Sequence, residues 1–331
     1  MTYQTIGKPL PRAEGVDKVT GKTQYAADFL IPGALWGAVL RSSVPHARLA
    51  KIDVTASKQV PKVSAVLTAA DLPAVLVGLR MKDMPLLARE RVRYVGEPIV
   101  AVAAENREAA EEALRLVDVV YEEMPSLFDP VEAIKPGAQL IHENPGSYKN
   151  APPRDLDLPN LQSLMVGENG DLEGGFRQAD RIFEHTFRTP LTHHGYIEPQ
   201  ACTVRINPNG QIEIWASNKA PFSLRDRLAA DLGIAREQIK VHILSVGGDF
   251  GGKTSLLDSG ICYFLAKQSG KPVKMVWSYS EEIAAGAHRH PAVIILRTGV
   301  KRDGTLTAMH AKLFFSGGAY AAFKANPQVS V

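Results

Sequence analysis

Hydrophobic and polar positions change their spacing along the chain, and these changes predict alternating strands and helices. Residues 99–104 are apolar at every position, which is typical of a strand buried on both faces. After Asn106, a residue type that caps helices, apolar residues recur at helical spacing as far as Val117. Residues 181–188 alternate between apolar and polar side chains and therefore predict a half-buried strand.

Similar patterns predict elements in the remaining segments. Residues 35–40, 63–68 and 117–121 have the composition of short strands, whereas 69–76 begin like a helix. The elements predicted in the second half are hairpins over 203–216 and 293–315, helices over 221–232 and 256–267, and strands over 239–246 and 272–278.

Turn signals divide the chain into successive units. Between 131 and 178, Pro and Gly recur in short clusters and little periodicity survives, which predicts an extended linker. The predicted organisation is an N-terminal arm over 1–15, an α/β unit over 16–130, the linker over 131–178 and a second α/β unit over 179–331. The fold class is α+β.

Composition narrows the class of protein. The 331 residues are 45% hydrophobic and 22% charged with a net charge of +3, which is normal for a globular protein and gives no basic groove for nucleic acid. No apolar stretch approaches the ~20 residues of a membrane span, and the N-terminus does not read as a signal peptide, so we expect a cytoplasmic location. Two cysteines cannot by themselves hold an iron–sulfur cluster.

The most informative segment is the glycine-rich run at 247–254, Gly-Gly-Asp-Phe-Gly-Gly-Lys-Thr, which lies between a predicted strand and a predicted helix. Such a turn exposes backbone amides that favour an anionic ligand. It also satisfies the phosphate-loop pattern of nucleotide hydrolases, which stays open as a remote alternative. Against that alternative, Asp249 and Phe250 would place a carboxylate and a bulky ring against phosphates.

Segment 247–253 also resembles the G-G-x-F-G-G-K loop of the molybdenum hydroxylases, the xanthine dehydrogenase and aldehyde oxidase family. Other stretches resemble the same family in the same order, and they lie at 19–28, 41–47, 95–102, 197–200, 219–222, 289–291 and 317–320. Ordered matches from about residue 15 onward are far more specific than any single motif. The resemblance places this sequence in the N-terminal half of the molybdopterin-binding large subunit.

The resemblance implies a fold, a cofactor and partners. Residues 16–130 correspond to the family's α/β hammerhead domain, and 179–331 to an incomplete first molybdopterin-binding domain. The implied cofactor is molybdenum–molybdopterin, with or without a cytosine nucleotide, while two-iron two-sulfur clusters and FAD reside on an iron–sulfur small subunit and an FAD-binding medium subunit. The implied reaction oxidises an aldehyde or N-heteroaromatic small molecule with water as the oxygen source.

The resemblance also assigns site residues. Phe250 presents its main chain to molybdenum and its ring to the substrate, and the amides around Gly248 and Gly251 are candidate donors to the cofactor. Lys219 occupies the slot near an oxo ligand in which the family usually has Gln. Arg289 supports the floor of the cofactor site.

Two departures leave a second interpretation open. Lys219 replaces the usual Gln, and Thr254 stands in the substrate pocket where purine-oxidising members have Glu, which argues against a xanthine substrate. The catalytic general base, a late Glu in the family, is expected outside this chain, on a second molybdopterin-binding half or subunit. The alternative is a non-catalytic assembly module of the same fold.

Overall fold

The computed structural model describes residues 3–79, 81–149, 151, 158–253 and 258–322. Fifteen strands and seven helices lie in these ranges. The strands are β1 Leu35–Arg41, β2 Ala47–Asp53, β3 Val63–Leu67, β4 Leu76–Val77, β5 Met84–Pro85, β6 Arg91–Val92, β7 Pro98–Ala104, β8 Asp118–Glu123, β9 Arg181–Thr189, β10 Ala201–Ile206, β11 Ile212–Ala216, β12 Ile239–His242, β13 Val273–Val276, β14 Ala292–Val300 and β15 Leu306–Phe315.

The helices are short and are distributed along the whole chain. They are α1 Gly15–Val19, α2 Arg107–Arg115, α3 Pro130–Ala133, α4 Leu172–Arg177, α5 Pro221–Leu232, α6 Ser259–Ser269 and α7 Tyr279–Ala285. None of the helices described is long and apolar enough to cross a membrane.

One seven-stranded sheet joins strands from both ends of the sequence. Its order is β12-β11-β10-β13-β1-β7-β3, so β1 from the first predicted unit pairs with β13 from the second. That pairing is parallel and sets Leu35 opposite Val273. The two α/β units therefore share a sheet, although they are separate along the chain. The domain boundaries themselves stay a prediction.

Two hydrophobic clusters cover the two faces of this sheet. In one, Leu224 and Leu228 of α5 and Leu265 of α6 pack on the sheet. In the other, Ala110 of α2 packs against the opposite side. Alternate residues of β7 enter different clusters, Ala101 the first and the flanking valines the second, so the prediction of a strand buried on both faces is confirmed.

Local sequence explains where several helices begin and end. The Asn106 side chain accepts a hydrogen bond from the amide of Ala109, as predicted for the cap of α2. Helix α5 begins with Pro221 at its first turn and ends before Gly233, within the predicted range. Helix α7 was not predicted, but Ser278 and Glu281 form a capping box at its start.

Three sequence predictions differ from the structure. The helix expected over 69–76 is a single 3-10 turn, because Thr68 and Asp71 close that turn and Pro73 disfavours continuation. The strand expected to reach 246 ends at His242, where the irregular approach to the glycine loop begins. The residues of β9 are all exposed rather than half-buried.

A buried carboxylate ties the last described segment to the first predicted unit. Glu97, just before β7, accepts hydrogen bonds from the Tyr320 hydroxyl and from the Arg93 amide. The guanidinium of Arg93 also donates to the Tyr320 hydroxyl, over 3.2 Å. Burial raises the pKa of Glu97 to about 7, despite these hydrogen bonds.

This pKa predicts a pH-dependent contribution to stability. Because the folded pKa lies above the ordinary value of 4.5, ionisation opposes folding, and the contribution of Glu97 is lost as pH rises from about 4.5 through about 7. When pH rises from 5 to 8, we expect the free energy of unfolding in urea to fall by roughly 2–3 kcal/mol less in Glu97→Gln than in the wild type. The exposed Glu105→Gln is the control and should follow the wild type, whereas equal losses in all three proteins would contradict the assignment.

Candidate functional site

The glycine-rich run forms a tight loop between β12 and α6. Phe250 at its tip has a left-handed backbone with φ of 48°, which is uncommon for a residue with a side chain and marks a constrained site. The residue is 63% exposed. The loop therefore holds an aromatic side chain out of the fold on a strained backbone.

The inner side of the loop lies directly on Tyr196. A Cβ atom at Gly252 would come within 2.5 Å of the Tyr196 ring, and one at Gly248 within 3.0 Å of its Cβ atom. Gly248 also has φ of +99°, which favours glycine. At these two positions the glycines are required for close packing of the loop on the protein, whatever lies on its outer side.

A buried ion pair anchors the end of the loop. Lys253 is fully buried, and its Nζ donates to Glu198 Oε2 over 2.6 Å. The amide of Gly247, at the start of the loop, donates to the same oxygen over 2.7 Å. The ammonium also lies 4.7 Å from the centre of the Tyr196 ring. One carboxylate thus holds both ends of the loop.

Tyr196 connects this anchor to α7. Its hydroxyl donates to Glu282 Oε2 over 2.6 Å and accepts from the Gln200 side chain over 3.3 Å. The second oxygen of Glu282 accepts the backbone amide of Gln200. Burial, together with the Glu282 carboxylate, raises the pKa of Tyr196, so the phenol stays protonated and keeps donating.

On the outer side, Asp249 collects donors from the loop and from Lys219. Its carboxylate accepts the Lys219 ammonium, the Gly251 amide over 2.9 Å and the Lys253 amide over 2.7 Å. Burial alone would raise the pKa of Asp249, but these hydrogen bonds outweigh it and lower the pKa below its ordinary value. Asp249 is therefore ionised and fixes the turn around Phe250.

Arg289 holds the tip of the loop from the other side. Its guanidinium donates to the carbonyl oxygen of Phe250 over 3.0 Å, and its backbone amide donates to Thr192 over the same distance. The rings of His193 and His288 lie nearby, with centroids 5.7 Å apart. No group of three or more side chains suited to a metal ion is found in the parts of the chain that the structure describes.

Comparisons with known proteins identify related domains in both halves of the chain. Residues 20–125 match the a/b hammerhead domain of aldehyde oxidase and xanthine dehydrogenase, and residues 158–329 match the molybdopterin cofactor-binding domain. The nicotinate dehydrogenase large molybdopterin subunit of Eubacterium barkeri is 31% identical over 97% of this chain and 72% of its own length. The chain belongs to the aldehyde oxidase and xanthine dehydrogenase family of molybdopterin-binding proteins.

Other relatives of this molybdopterin-binding chain are considerably longer. A probable xanthine dehydrogenase subunit of Bacillus subtilis is 36% identical over 96% of this chain, which spans 41% of that protein. The structure of reconstituted CO dehydrogenase from Oligotropha carboxidovorans superposes with a TM-score of 0.83 at 26% identity, over 93% of this chain and 39% of that one. The chain thus spans about two fifths of these two relatives, and relatives of this kind include large subunits of multi-subunit enzymes.

The structure brings the predicted site residues together around one loop. Lys219 contacts Asp249, Arg289 contacts Phe250, and Gly248 and Gly251 flank the tip. The amide of Gly251 is already bonded to Asp249, so it differs from the free donor that the sequence suggested. Among the described residues, no acceptor is found for the amides of Gly248 and Phe250. Thr254 and the start of the helix predicted over 256–267 lie outside the described residues.

Other residues of the site had no role in the sequence interpretation. Glu198 was visible as part of a family-like motif, but its pairing with Lys253 joins positions far apart in sequence. No pattern in the sequence indicated the contact between Asp249 and Lys219. The burial of Lys253 also explains why the phosphate-loop pattern is misleading, because the lysine of such a loop must reach phosphates whereas this one is paired inside the protein.

Removing one partner of the buried pair should destabilise the fold strongly. Lys253→Met leaves Glu198 as an uncompensated buried charge, for which we expect a loss of about 3–5 kcal/mol in denaturant unfolding. The double variant Lys253→Met/Glu198→Leu should recover part of that loss, since both charges are gone. Lys135→Met breaks the exposed pair with Glu132 and should change little. Additive losses in the double variant would contradict the coupling.

Proposed function

We propose that this chain is the part of a molybdenum hydroxylase that presents the 247–253 loop to a molybdopterin cofactor. One observation carries the proposal: the amides of Gly248 and Phe250 and the ammonium of Lys219 lie around a loop fixed from beneath by the Lys253–Glu198 pair. Backbone amides that have no acceptor among the described residues, beside a cationic side chain, fit the anionic oxygen and sulfur atoms of such a cofactor.

Each residue has a distinct part in this proposal. When bound, the molybdopterin centre would supply the redox chemistry, in which an electrophilic carbon gains oxygen from water. Phe250 offers its amide to the cofactor and its exposed ring to the substrate, while Arg289 fixes the carbonyl on the same residue. Lys219 stands where the family usually has a neutral glutamine. Its positive charge is balanced by the Asp249 carboxylate, so the pair adds no net charge.

The substrate class follows from the family together with one departure. We propose an aldehyde or an N-heteroaromatic compound, because relatives include an aldehyde oxidoreductase and a nicotinate dehydrogenase. One relative is a probable xanthine dehydrogenase subunit. Thr254 nevertheless argues against xanthine here, because a hydroxyl group cannot replace the carboxylate that holds a purine ring.

The cofactor form and the partners are also proposals. The general base is expected outside this chain, on a second molybdopterin-binding half or subunit. The chain spans 41% of one relative and 39% of another. Electrons would leave through two-iron two-sulfur clusters and FAD on partner chains, and the pterin would carry a cytosine nucleotide or none. The cytoplasmic location stays a prediction.

Metal analysis of the complex purified from its source tests the proposal directly. We expect about one molybdenum per chain, with iron and flavin in the co-purifying chains. Gly248→Ala should lower molybdenum content about tenfold, because its methyl group meets Tyr196 and forces the loop to move. Gly210→Ala is a matched control, since its φ of +82° is equally left-handed but only the Gln238 side chain lies near. An intact wild-type complex without molybdenum would refute the proposal.

Reversing the charge of Lys219 should weaken cofactor retention. Lys219→Glu faces the Asp249 carboxylate and repels an anionic ligand, so we expect about tenfold less molybdenum, as measured by elemental analysis. Lys240→Glu makes the same charge change on the exposed side of β12 and should retain the metal.

Lys219→Gln separates the catalytic interpretation from the non-catalytic one. Glutamine can still donate to Asp249, so the complex should keep molybdenum and remain active. A metal-loaded complex that is inactive with either residue at 219 would favour the alternative of an assembly module that kept the fold and lost the chemistry.

A further inference from the structure

A guanidinium from the first predicted unit contacts two helices of the second unit, α6 and α7. Arg41 is the last residue of β1, and its side chain is only 8% exposed. It contacts the Asp258 carboxylate at the start of α6, and its Nε atom donates to Glu281 Oε1 of α7 over 2.9 Å. Trp277 donates to the same Asp258 oxygen over 2.8 Å, and its ring lies 4.5 Å from the guanidinium.

This arrangement requires an arginine and not merely a cation. Burial alone would lower the pKa of Arg41, but the Asp258 and Glu281 carboxylates outweigh it and raise the pKa, so the guanidinium stays charged. Its planar fork donates to two carboxylates at once while its flat face lies on the indole ring. A lysine ammonium keeps the charge but has neither the fork nor the flat face.

The first turn of α7 links Arg41 to the segment beneath the glycine loop. Glu281 Oε2 accepts two hydrogen bonds from the residue that caps the helix, so one side chain joins Arg41 to this turn. In the same turn, the Tyr279 hydroxyl donates to the carbonyl oxygen of Tyr196 over 2.6 Å, and Glu282 accepts the Tyr196 hydroxyl over 2.6 Å. Helix α7 therefore holds Tyr196 by its backbone and by its side chain.

Both routes from Arg41 end at the glycine loop. The Tyr196 ring lies directly beneath Gly248 and Gly252, where added Cβ atoms would meet it. Asp258 is the first described residue after the loop, and it precedes α6. A single side chain of β1 is thus connected to the loop through the residue on which the loop packs and through the residue that follows the loop.

We propose that Arg41 is a positioning residue for the cofactor loop, acting through α7 and through Asp258. This inference rests on the proposed function, because it takes the 247–253 loop to be the segment that faces the cofactor. Without the guanidinium fork, Asp258 and Glu281 would have no common partner, and α6 and α7 would lose their fixed spacing. The loop would then open locally more often, and its amides would leave their positions.

Hydrogen exchange of the full chain, measured by mass spectrometry, tests this role without requiring a cofactor. We expect Arg41→Lys to speed exchange in the 247–253 loop at least about tenfold, while the central strand β11 exchanges as in the wild type. Arg107→Lys is the matched control. Arg107 also pairs with a carboxylate, that of Glu111, and lies 5.6 Å from the Trp36 ring, but its side chain is 58% exposed. Its substitution should leave loop exchange unchanged.

Trp277→Phe is a milder second variant, and it decides the question if Arg41→Lys does not fold. It removes the indole donor to Asp258 and keeps an aromatic ring against the guanidinium. We expect exchange in the loop to be about threefold faster, again without a change in β11. Unchanged loop exchange overturns the proposal. Equal increases in the loop and in β11 overturn it as well, because they show a general loss of stability.

The metal-loaded complex provides a second readout that a general loss of stability does not change. We expect Arg41→Lys to shift or broaden the electron paramagnetic resonance spectrum of the reduced molybdenum, and Arg107→Lys to leave it as in the wild type. An unchanged spectrum in Arg41→Lys contradicts the positioning role.

The outcomes separate this inference from the proposed function. A wild-type complex without molybdenum defeats the proposed function, whereas faster loop exchange in Arg41→Lys still shows that Arg41 positions the loop. A molybdenum-loaded complex in which Arg41→Lys alters neither loop exchange nor the spectrum defeats the positioning role alone.

Discussion

The buried pair between Lys253 and Glu198 is the interaction on which the site depends. Removing two charges from water is costly, and the cost is offset only when the geometry is good and the remaining polar atoms find partners. Here Glu198 Oε2 also accepts the Gly247 amide, and the ammonium lies beside the Tyr196 ring, whereas Glu198 Oε1 is buried and has no hydrogen-bond partner among the described residues. The pair fixes both ends of the glycine loop, so Phe250 can occupy a left-handed conformation that a free loop would leave.

A second buried ion cluster joins the hammerhead strands to the molybdopterin-binding strands. Arg41, at the end of β1, contacts Asp258 before α6 and donates to Glu281 of α7 over 2.9 Å. Its guanidinium also stacks 4.5 Å from the Trp277 ring. Because β1 pairs with β13 in the same sheet, α6 and α7 are positioned by strands from both units. The loop therefore rests on a framework built from distant parts of the sequence.

The contact with Asp249 explains how the fold accommodates Lys219 at a position where the family usually has glutamine. Under the proposed function, an isolated ammonium would add a positive charge beside the cofactor, but the Asp249 carboxylate accepts it and accepts two loop amides as well. The pair remains a donor-rich surface with no net charge, and it also stiffens the turn that carries Phe250. A departure that looks disruptive in sequence alone is compensated by a neighbour in space.

The sequence by itself determined the family, the strand buried on both faces at β7, the helix α5 and the position of the glycine loop, because composition, periodicity and motifs act over short stretches. It could not determine that Lys219 pairs with Asp249, that Lys253 is buried on Glu198, or that β9 leaves its rings exposed. Those facts depend on which segments meet after folding. Pairing between residues far apart in the chain is decided by tertiary packing, because a short sequence pattern does not specify which distant residue a side chain will contact.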